Sequence, residues 1–409
     1  MKRILLVAFH FPPIQGSSGY LRTLKFTRYL PEFGCEPIVL TVRPGAYGAV
    51  NPRGLEQIPA GLEVHRSFAF DLPKLLSIRG RHFSWMSIPD RYSPWIPFAV
   101  MDGLRLIRKR GIDAIFSTYP IPGAHVIGGM LHRLSGKPWV ADFRDPMWDD
   151  YSRQASLSLS VRKAVERRAI ERATAVVVAT RGMKSMYAAR YPGMPAGKTT
   201  VILNGFDEED FAGMETPPRR NGGPAVLIHA GLLERIDRNP EAFFLAVKSL
   251  RDSGKAGPER LRVRLIATGQ DGEYRKNLEA LGIADMVRLE PAIPYGEALS
   301  AMAASDVLLL FQGPTCDAQI PAKLYEYMRV GKPILALATE SGETGRLVIA
   351  SGGGKVVPIG DAAAIAACLE EWLESIEAGR PLPATTAETA SAYARRNQAG
   401  QLADIFRGL

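Results

Sequence analysis

The stretch from Asp306 to Leu337 constrains this chain more than any other. It opens on an apolar run, Val307–Phe311, and passes through a polar loop from Gly313 to Gln319. It then reads Ile-Pro-Ala-Lys-Leu-Tyr-Glu-Tyr-Met-Arg-Val-Gly-Lys-Pro before a second apolar run, Ile334–Leu337. Proline suits a first helical turn and glycine the position just past a helix end, so Pro321 and Gly331 bracket a short helix. The predicted order is strand, loop, helix, strand. Lys323 and Glu326 fall one turn apart at the start of that helix. Free N–H groups at a helix start attract phosphate, and a glutamate accepts two hydrogen bonds from a ribose diol. The plainer reading of the same residues is an ordinary crossover with a surface glutamate.

The same alternation recurs along the chain. Strand-like runs are expected at Ile4–Phe9, Pro37–Thr41, Ala114–Ser117, Trp139–Asp142, Ala175–Ala179 and Thr200–Leu203, with helices such as Gly19–Leu30, Pro97–Arg110, His125–Ser135 and Val161–Ala173 between them. A second series is expected at Ala225–His229, Arg262–Ala267, Val287–Leu289, Val307–Phe311, Ile334–Leu337 and Gly354–Val357. Continuous short apolar runs mark strands buried on both faces, which is the habit of parallel sheets covered by helices. Two successive open α/β domains follow: residues 1–205, a linker at 206–224, residues 225–385, and a helical tail at 386–409.

The 409 residues exceed one compact core, and 46% hydrophobic with 23% charged residues is ordinary globular composition. Cys35, Cys316 and Cys368 lie far apart without metal-like spacing, which fits a reducing, cytoplasmic setting. The apolar start stops at His10 before Pro12-Pro13 and reads as a first strand rather than a signal. No run approaches the roughly 18 apolar residues of a membrane span. The net charge of +9 suits phosphate-bearing ligands or an anionic membrane surface. Without a zinc-finger spacing, an RNA-binding signature or a basic tail, nucleic acid is the partner least expected.

Three further segments carry candidate chemistry. The loop His10-Phe-Pro-Pro-Ile-Gln-Gly-Ser-Ser-Gly-Tyr-Leu-Arg22 follows the first strand, and Gly16, Ser17 and Gly19 permit close backbone approach to an anion. It lacks the Gly-x-Gly-x-x-Gly spacing of a dinucleotide site, which argues against a dehydrogenase. Gly231, Arg235 and Arg238 precede Asn239-Pro240, a good helix start, and two guanidinium groups there suit a diphosphate. In Trp139-Val-Ala-Asp-Phe-Arg-Asp-Pro-Met-Trp148, three charges at the end of a buried strand are costly unless paired or functional. Asp142, Arg144 and Asp145 are therefore candidate catalytic groups, with pairing of both aspartates to Arg144 as the alternative. His125, at a neighbouring helix start, is a weaker candidate. Asp149-Asp150 lack the His or Glu spacing of a metal site, so no metal is expected. Between Arg79 and Phe98, aromatic rings interleave with cations, as in a sugar-stacking surface, a membrane interface or core anchors. The helix from Gly19 adds Arg22, Lys25 and Arg28 as further cations.

Taken in order, the first loop, Asp-Phe-Arg-Asp-Pro, Asn204-Gly-Phe-Asp207 and Pro321-Ala-Lys-Leu-Tyr-Glu326 resemble retaining glycosyltransferases of family 4. The resemblance implies a GT-B architecture: two Rossmann-like, doubly wound parallel sheets facing a central cleft, with the tail crossing back to the first domain. It implies transfer of a sugar from a nucleotide diphosphate sugar to a glycan or lipid-linked acceptor, without metal or cofactor, in polysaccharide or glycolipid assembly at the cytoplasmic face of a membrane. Gly16, Ser17, Gly19, Gly231, Arg235, Arg238, Gln319, Ile320, Pro321, Ala322, Lys323, Leu324 and Glu326 take the donor-binding roles. The family's first glutamate is absent, because position 318 is Ala, and position 321 is Pro where the longer pattern carries Gly. Asp317, or the backbone amides around Gln319–Ala322, are the candidates for the lost contact with the donor sugar. A non-catalytic sugar-binding scaffold and a nucleotide-sugar 2-epimerase of the same fold are the rival readings. The base, the sugar and the acceptor are not legible.

Overall fold

Isoleucine, leucine and valine runs with few interruptions become two parallel sheets in the computed structural model, which describes residues 1–15, 18–76, 88–148, 156–214 and 222–409. The first sheet contains β1 (Lys2–Val7), β2 (Cys35–Val42), β3 (Glu63–Ser67), β4 (Ala114–Thr118), β5 (Trp139–Phe143), β6 (Ala175–Val178) and β7 (Thr199–Val201) in the order β3-β2-β1-β4-β5-β6-β7. The second contains β8 (Ala225–Ala230), β9 (Leu261–Ile266), β10 (Val287–Glu290), β11 (Val307–Gln312), β12 (Ile334–Ala338) and β13 (Gly354–Val357) in the order β10-β9-β8-β11-β12-β13. Every ladder is parallel. The expected strands all form within a few residues of their predicted bounds. The exception is β3, an edge strand whose half-buried Glu-Val-His-Arg-Ser sequence carries no apolar run. Helices Leu72–Leu76, Arg181–Arg190 and Glu343–Ala350 were not expected either.

Successive residues of one strand serve two cores because side chains alternate across a sheet. Leu5, Val7, Ile115, Ala141 and Val176 pack with Trp95, Leu131 and Trp139 on one face. Ile4, Leu6, Phe116, Val140 and Val177 pack on the other, where the last helix, Arg395–Arg407, adds Ala399, Leu402, Ala403 and Phe406. Phe406 sets its ring edge-on to Phe116 at 6.2 Å. The first unit accordingly comprises Met1–Leu203 with Arg395–Leu409, and the second comprises Asn204–Ala394.

Residues 204–214 are fastened to the second unit rather than left as a loose linker. The Phe206 amide donates to the Tyr393 carbonyl at 3.3 Å, and Arg329 donates to Glu208 at 2.8 Å. In each sheet the strand order reverses once, between β1 and β4 and between β8 and β11. Loops diverge there, leaving a crevice at the carboxyl ends of the strands.

Candidate functional site

In the second unit the crevice lies between the ends of β8 and β11, and helix Ala322–Val330 begins beside it. Gly331 ends that helix at φ 70, its amide donating to the Tyr327 and Met328 carbonyls. Pro321 precedes the first turn and lends no N–H. The Gln319 amide is spent on the Cys316 carbonyl at 2.9 Å, and the Leu324 amide on Pro321 at 3.0 Å. The expected cradle of amides over Gln319–Ala322 therefore narrows to Ile320 and Ala322, with Lys323 following. Ile320 and Leu324 themselves point apolar side chains into the protein.

Lys323 is folded back onto the end of β8. Its Nζ donates to the Ala230 carbonyl at 2.8 Å and lies 3.4 Å from Nε2 of His229. Gly231, at φ 133, leaves the space for this: a Cβ there would stand 2.4 Å from Nζ. Burial, then the Arg238 guanidinium, lowers the lysine pKa to about 7, against the opposing pull of Glu326. Glu326 is half-buried, and Oε1 accepts from the Tyr295 hydroxyl at 2.8 Å.

The two loop arginines part company. Arg235 is exposed and paired with Glu273. Arg238 stands in a tight turn, its amide bonded to the Glu234 carbonyl at 3.0 Å, and its charge is felt at both Lys323 and His229. The turn is fastened to the exit of β11, where the Gly313 amide donates to the Asp237 carbonyl at 2.5 Å. Asn239 Oδ1 accepts from the Glu241 amide at 3.0 Å, so helix Glu241–Asp252 starts one residue later than expected. Asp317 packs its carboxylate on Gly342, where a Cβ would lie 2.8 Å from Oδ1, and its carbonyl accepts from the Glu343 amide at 2.8 Å.

In the first unit the crevice lies between β1 and β4, with the end of β5 alongside. The expected pairing of Asp142 with Arg144 does not occur. Asp142 is fully buried and takes Arg22 instead, Nη2 to Oδ1 at 3.1 Å and Nε to Oδ2 at 3.3 Å, while Thr118 Oγ1 donates to Oδ2 at 2.8 Å. Arg22 also donates to the Ile202 and Leu203 carbonyls at 2.9 and 2.8 Å. The reason is strand geometry: Asp142 and Arg144 point to the same side of β5, but Arg144 already lies beyond the strand end. Its Nε donates to the Tyr119 carbonyl at 2.5 Å and its Nη1 to the Gly19 carbonyl. Burial lowers Arg144 to about 10. Asp145 is exposed. Arg22 and Lys25 are buried, so of that helix's three cations only Arg28 is exposed.

Glu166, fully buried, holds the loop after β5 in place. It accepts from the Met147 amide at 2.9 Å, Tyr187 at 3.1 Å, and Arg190 and Tyr191 at 2.8 Å each. Trp148 lies between two cations, Arg190 at 3.5 Å and Lys163 at 4.1 Å from its ring centre. His10, near Arg144, is held neutral to about pH 4, by burial first and then by that guanidinium. His125 is a core residue: it is 1% exposed, 2.7 Å from Ser117 Oγ through Nδ1, and packed on Phe143 at 4.5 Å. Burial lowers its pKa to about 3. The ring therefore sits among core residues rather than at an exposed surface.

Gly16, Ser17, Asp149, Asp150 and the aromatic–basic residues Arg79 to Trp85 lie outside the described residues. Of the neighbours, Trp95 is buried in the core, and Phe98 is exposed against Phe68 at 5.1 Å. Among the described residues no group of three or more His, Cys, Asp or Glu side chains could hold a metal. No described helix is long and apolar enough to cross a membrane. Sequence reasoning missed His10, Arg22 as a buried partner, Glu166 and His229 as polar residues of these crevices. His10 and His229 each left a signal, as a polar residue closing an apolar run.

Residues 22–210 match the family described as Glycosyltransferase Family 4, and residues 224–375 match the family described as Glycosyl transferases group 1. No curated protein matches the sequence. Among solved structures, sucrose-phosphate synthase of Thermosynechococcus elongatus is similar at a TM-score of 0.70 and 16% identity, over 100% of this chain and 99% of that one. HepE of Anabaena, solved with UDP and glucose, is similar at 0.67 and 17% identity over 100% of both chains. WaaG, a glycosyltransferase involved in lipopolysaccharide biosynthesis, is similar at 0.63 and 14% identity over 100% of both chains. The architecture is GT-B, and each half of the chain carries a glycosyltransferase domain.

Proposed function

We propose, taking these two glycosyltransferase domains as the premise, that the protein transfers a sugar from a nucleoside diphosphate sugar to a glycan or lipid-linked acceptor with retention of configuration. The observation that carries this reading is Lys323. Lys323 is half-buried at a helix start with its ammonium folded inward, and among the described residues that ammonium meets a carbonyl and a histidine nitrogen but pairs with no carboxylate. A buried charge demands a counter-charge, and here a diphosphate supplies it. Arg238 adds to the same field, and Glu326 offers acceptors to a ribose diol. Side-chain cations, rather than a metal ion, then meet the charge that grows on the leaving diphosphate.

Retention by double displacement needs a carboxylate nucleophile. Asp142 is committed to Arg22 and Thr118, and Asp145 is exposed and lies in the field of the Arg144 guanidinium. We therefore favour departure and attack on one face of the sugar, with Arg144 acting electrostatically in the first unit. The membrane-facing, polysaccharide-building role rests on the basic charge and on the family resemblance.

A thermal-shift panel of UDP, GDP, ADP and dTDP tests the donor reading. A ligand at 100 times its Kd adds about 2.7 kcal/mol of stability. No shift with any of the four would remove it. Hydrolysis of the matching donor without acceptor separates an enzyme from a sugar-binding scaffold.

A further inference from the structure

His229 is fully buried at the end of β8, a strand otherwise apolar, and stands edge-on to Phe311 with ring centres 5.1 Å apart. Its Nδ1 lies 2.9 Å from the Leu309 carbonyl, which can only accept, so the proton sits on Nδ1. The Tyr327 hydroxyl donates to the same carbonyl at 3.2 Å. The Nε2 lone pair is left facing the Lys323 ammonium at 3.4 Å. An ammonium has three donors. Two are taken by Ala230 and His229, and Gly231 keeps the approach open.

We infer that His229 is a positioning residue for the nucleotide-sugar site: as a neutral Nδ1–H imidazole it holds the Lys323 ammonium so that its third N–H is free for the diphosphate. The inference rests on the donor reading above and adds the device that orients its cation. A neutral acceptor serves better than a carboxylate, because an aspartate or glutamate would compete with the incoming anion. Burial and the charges of Lys323 and Arg238 hold the ring neutral, well below its usual pKa. The charged groups facing Lys323 are Arg238 from the loop after β8 and Glu326 from its own helix.

Two substitutions divide the imidazole's tasks. His229→Asn keeps a donor for Leu309 and removes the acceptor for Lys323, whereas His229→Gln keeps an acceptor at the Nε2 position and removes the donor. UDP, GDP, ADP and dTDP are titrated calorimetrically into wild type, and the tightest into each variant, with melting temperatures taken alongside. H229N is expected to weaken binding about tenfold or more, as for a lost hydrogen bond to a charged group, with H229Q close to wild type. In whichever variants fold, the alkaline fall in affinity is the second measurement: losing the acceptor moves it to lower pH. Tight H229N with weak H229Q would make the histidine a strand anchor and overturn the inference, as would two variants matching wild type in affinity and pH profile. A wild type that binds none of the four nucleotides would instead remove the donor reading itself.

Discussion

Arg22 and Asp142, 120 residues apart in sequence, form a bidentate ion pair in which the arginine is 2% exposed and the aspartate 0%. The pair ties the first helix to the end of β5, and Thr118 Oγ1 completes the carboxylate. Removing one partner strands the other charge in the interior, which costs about 3–5 kcal/mol. Arg22→Ala is expected to lose that much in denaturant unfolding, with a smaller loss in the Arg22→Met, Asp142→Leu double variant. A loss under about 1 kcal/mol in the single variant would contradict the pairing.

Lys323 links pH to both stability and binding. Its folded pKa of about 7 lies below the ordinary 10.5, so between these values the unfolded chain binds more protons. Stability contributed by this site therefore rises as pH rises from 7 to 10.5, and Lys323→Met should flatten that rise. An anionic ligand restores the charge, so nucleoside diphosphate binding above pH 7 should take up a proton. Calorimetry in buffers of different ionisation enthalpy reads that uptake, and none should be seen with Lys323→Met.

Glu326 is expected to hold the donor ribose. A charged hydrogen bond is worth about 1.5–3 kcal/mol, so Glu326→Ala should weaken nucleotide binding about ten- to a hundredfold. Tyr295→Phe, which removes the donor to Glu326 Oε1, should have a smaller effect of the same sign. Unchanged affinity in a folded Glu326→Ala protein would end this assignment.

Arg144→Ala should reduce turnover more than donor affinity, since its role is placed in the transition state. Intact-mass spectrometry with a slow fluorinated donor provides the matching check. The expected spectrum shows no sugar adduct; a stoichiometric adduct on Asp145 would establish double displacement, and one on Asp142 would also require its ion pair to open.

Basic charge around the first unit should draw the protein to anionic vesicles. Surface electrostatics fade within a Debye length, about 8 Å at physiological salt, so recovery with such vesicles should fall as salt rises. Equal recovery with neutral vesicles would argue against this attraction.

What the sequence determined by itself was the layered architecture and the donor segment. Apolar runs of strand length, punctuated by Pro321 and Gly331, dictate parallel strands and short helices from local sterics and burial alone, and twelve of thirteen strands were legible. The thirteenth, β3, earns its place only through pairing with β2, from Ile38↔Glu63 to Val42↔Ser67. Lys323 and Glu326 were readable because one helical turn carries both. Partner choice belonged to the tertiary structure. Asp142 meets Arg22 rather than its neighbour Arg144, Arg235 is drawn away to Glu273, and His125 turns into the core. Each outcome depends on which distant group reaches a buried charge, where an unpaired charge costs most, and sequence separation carries no information about that distance.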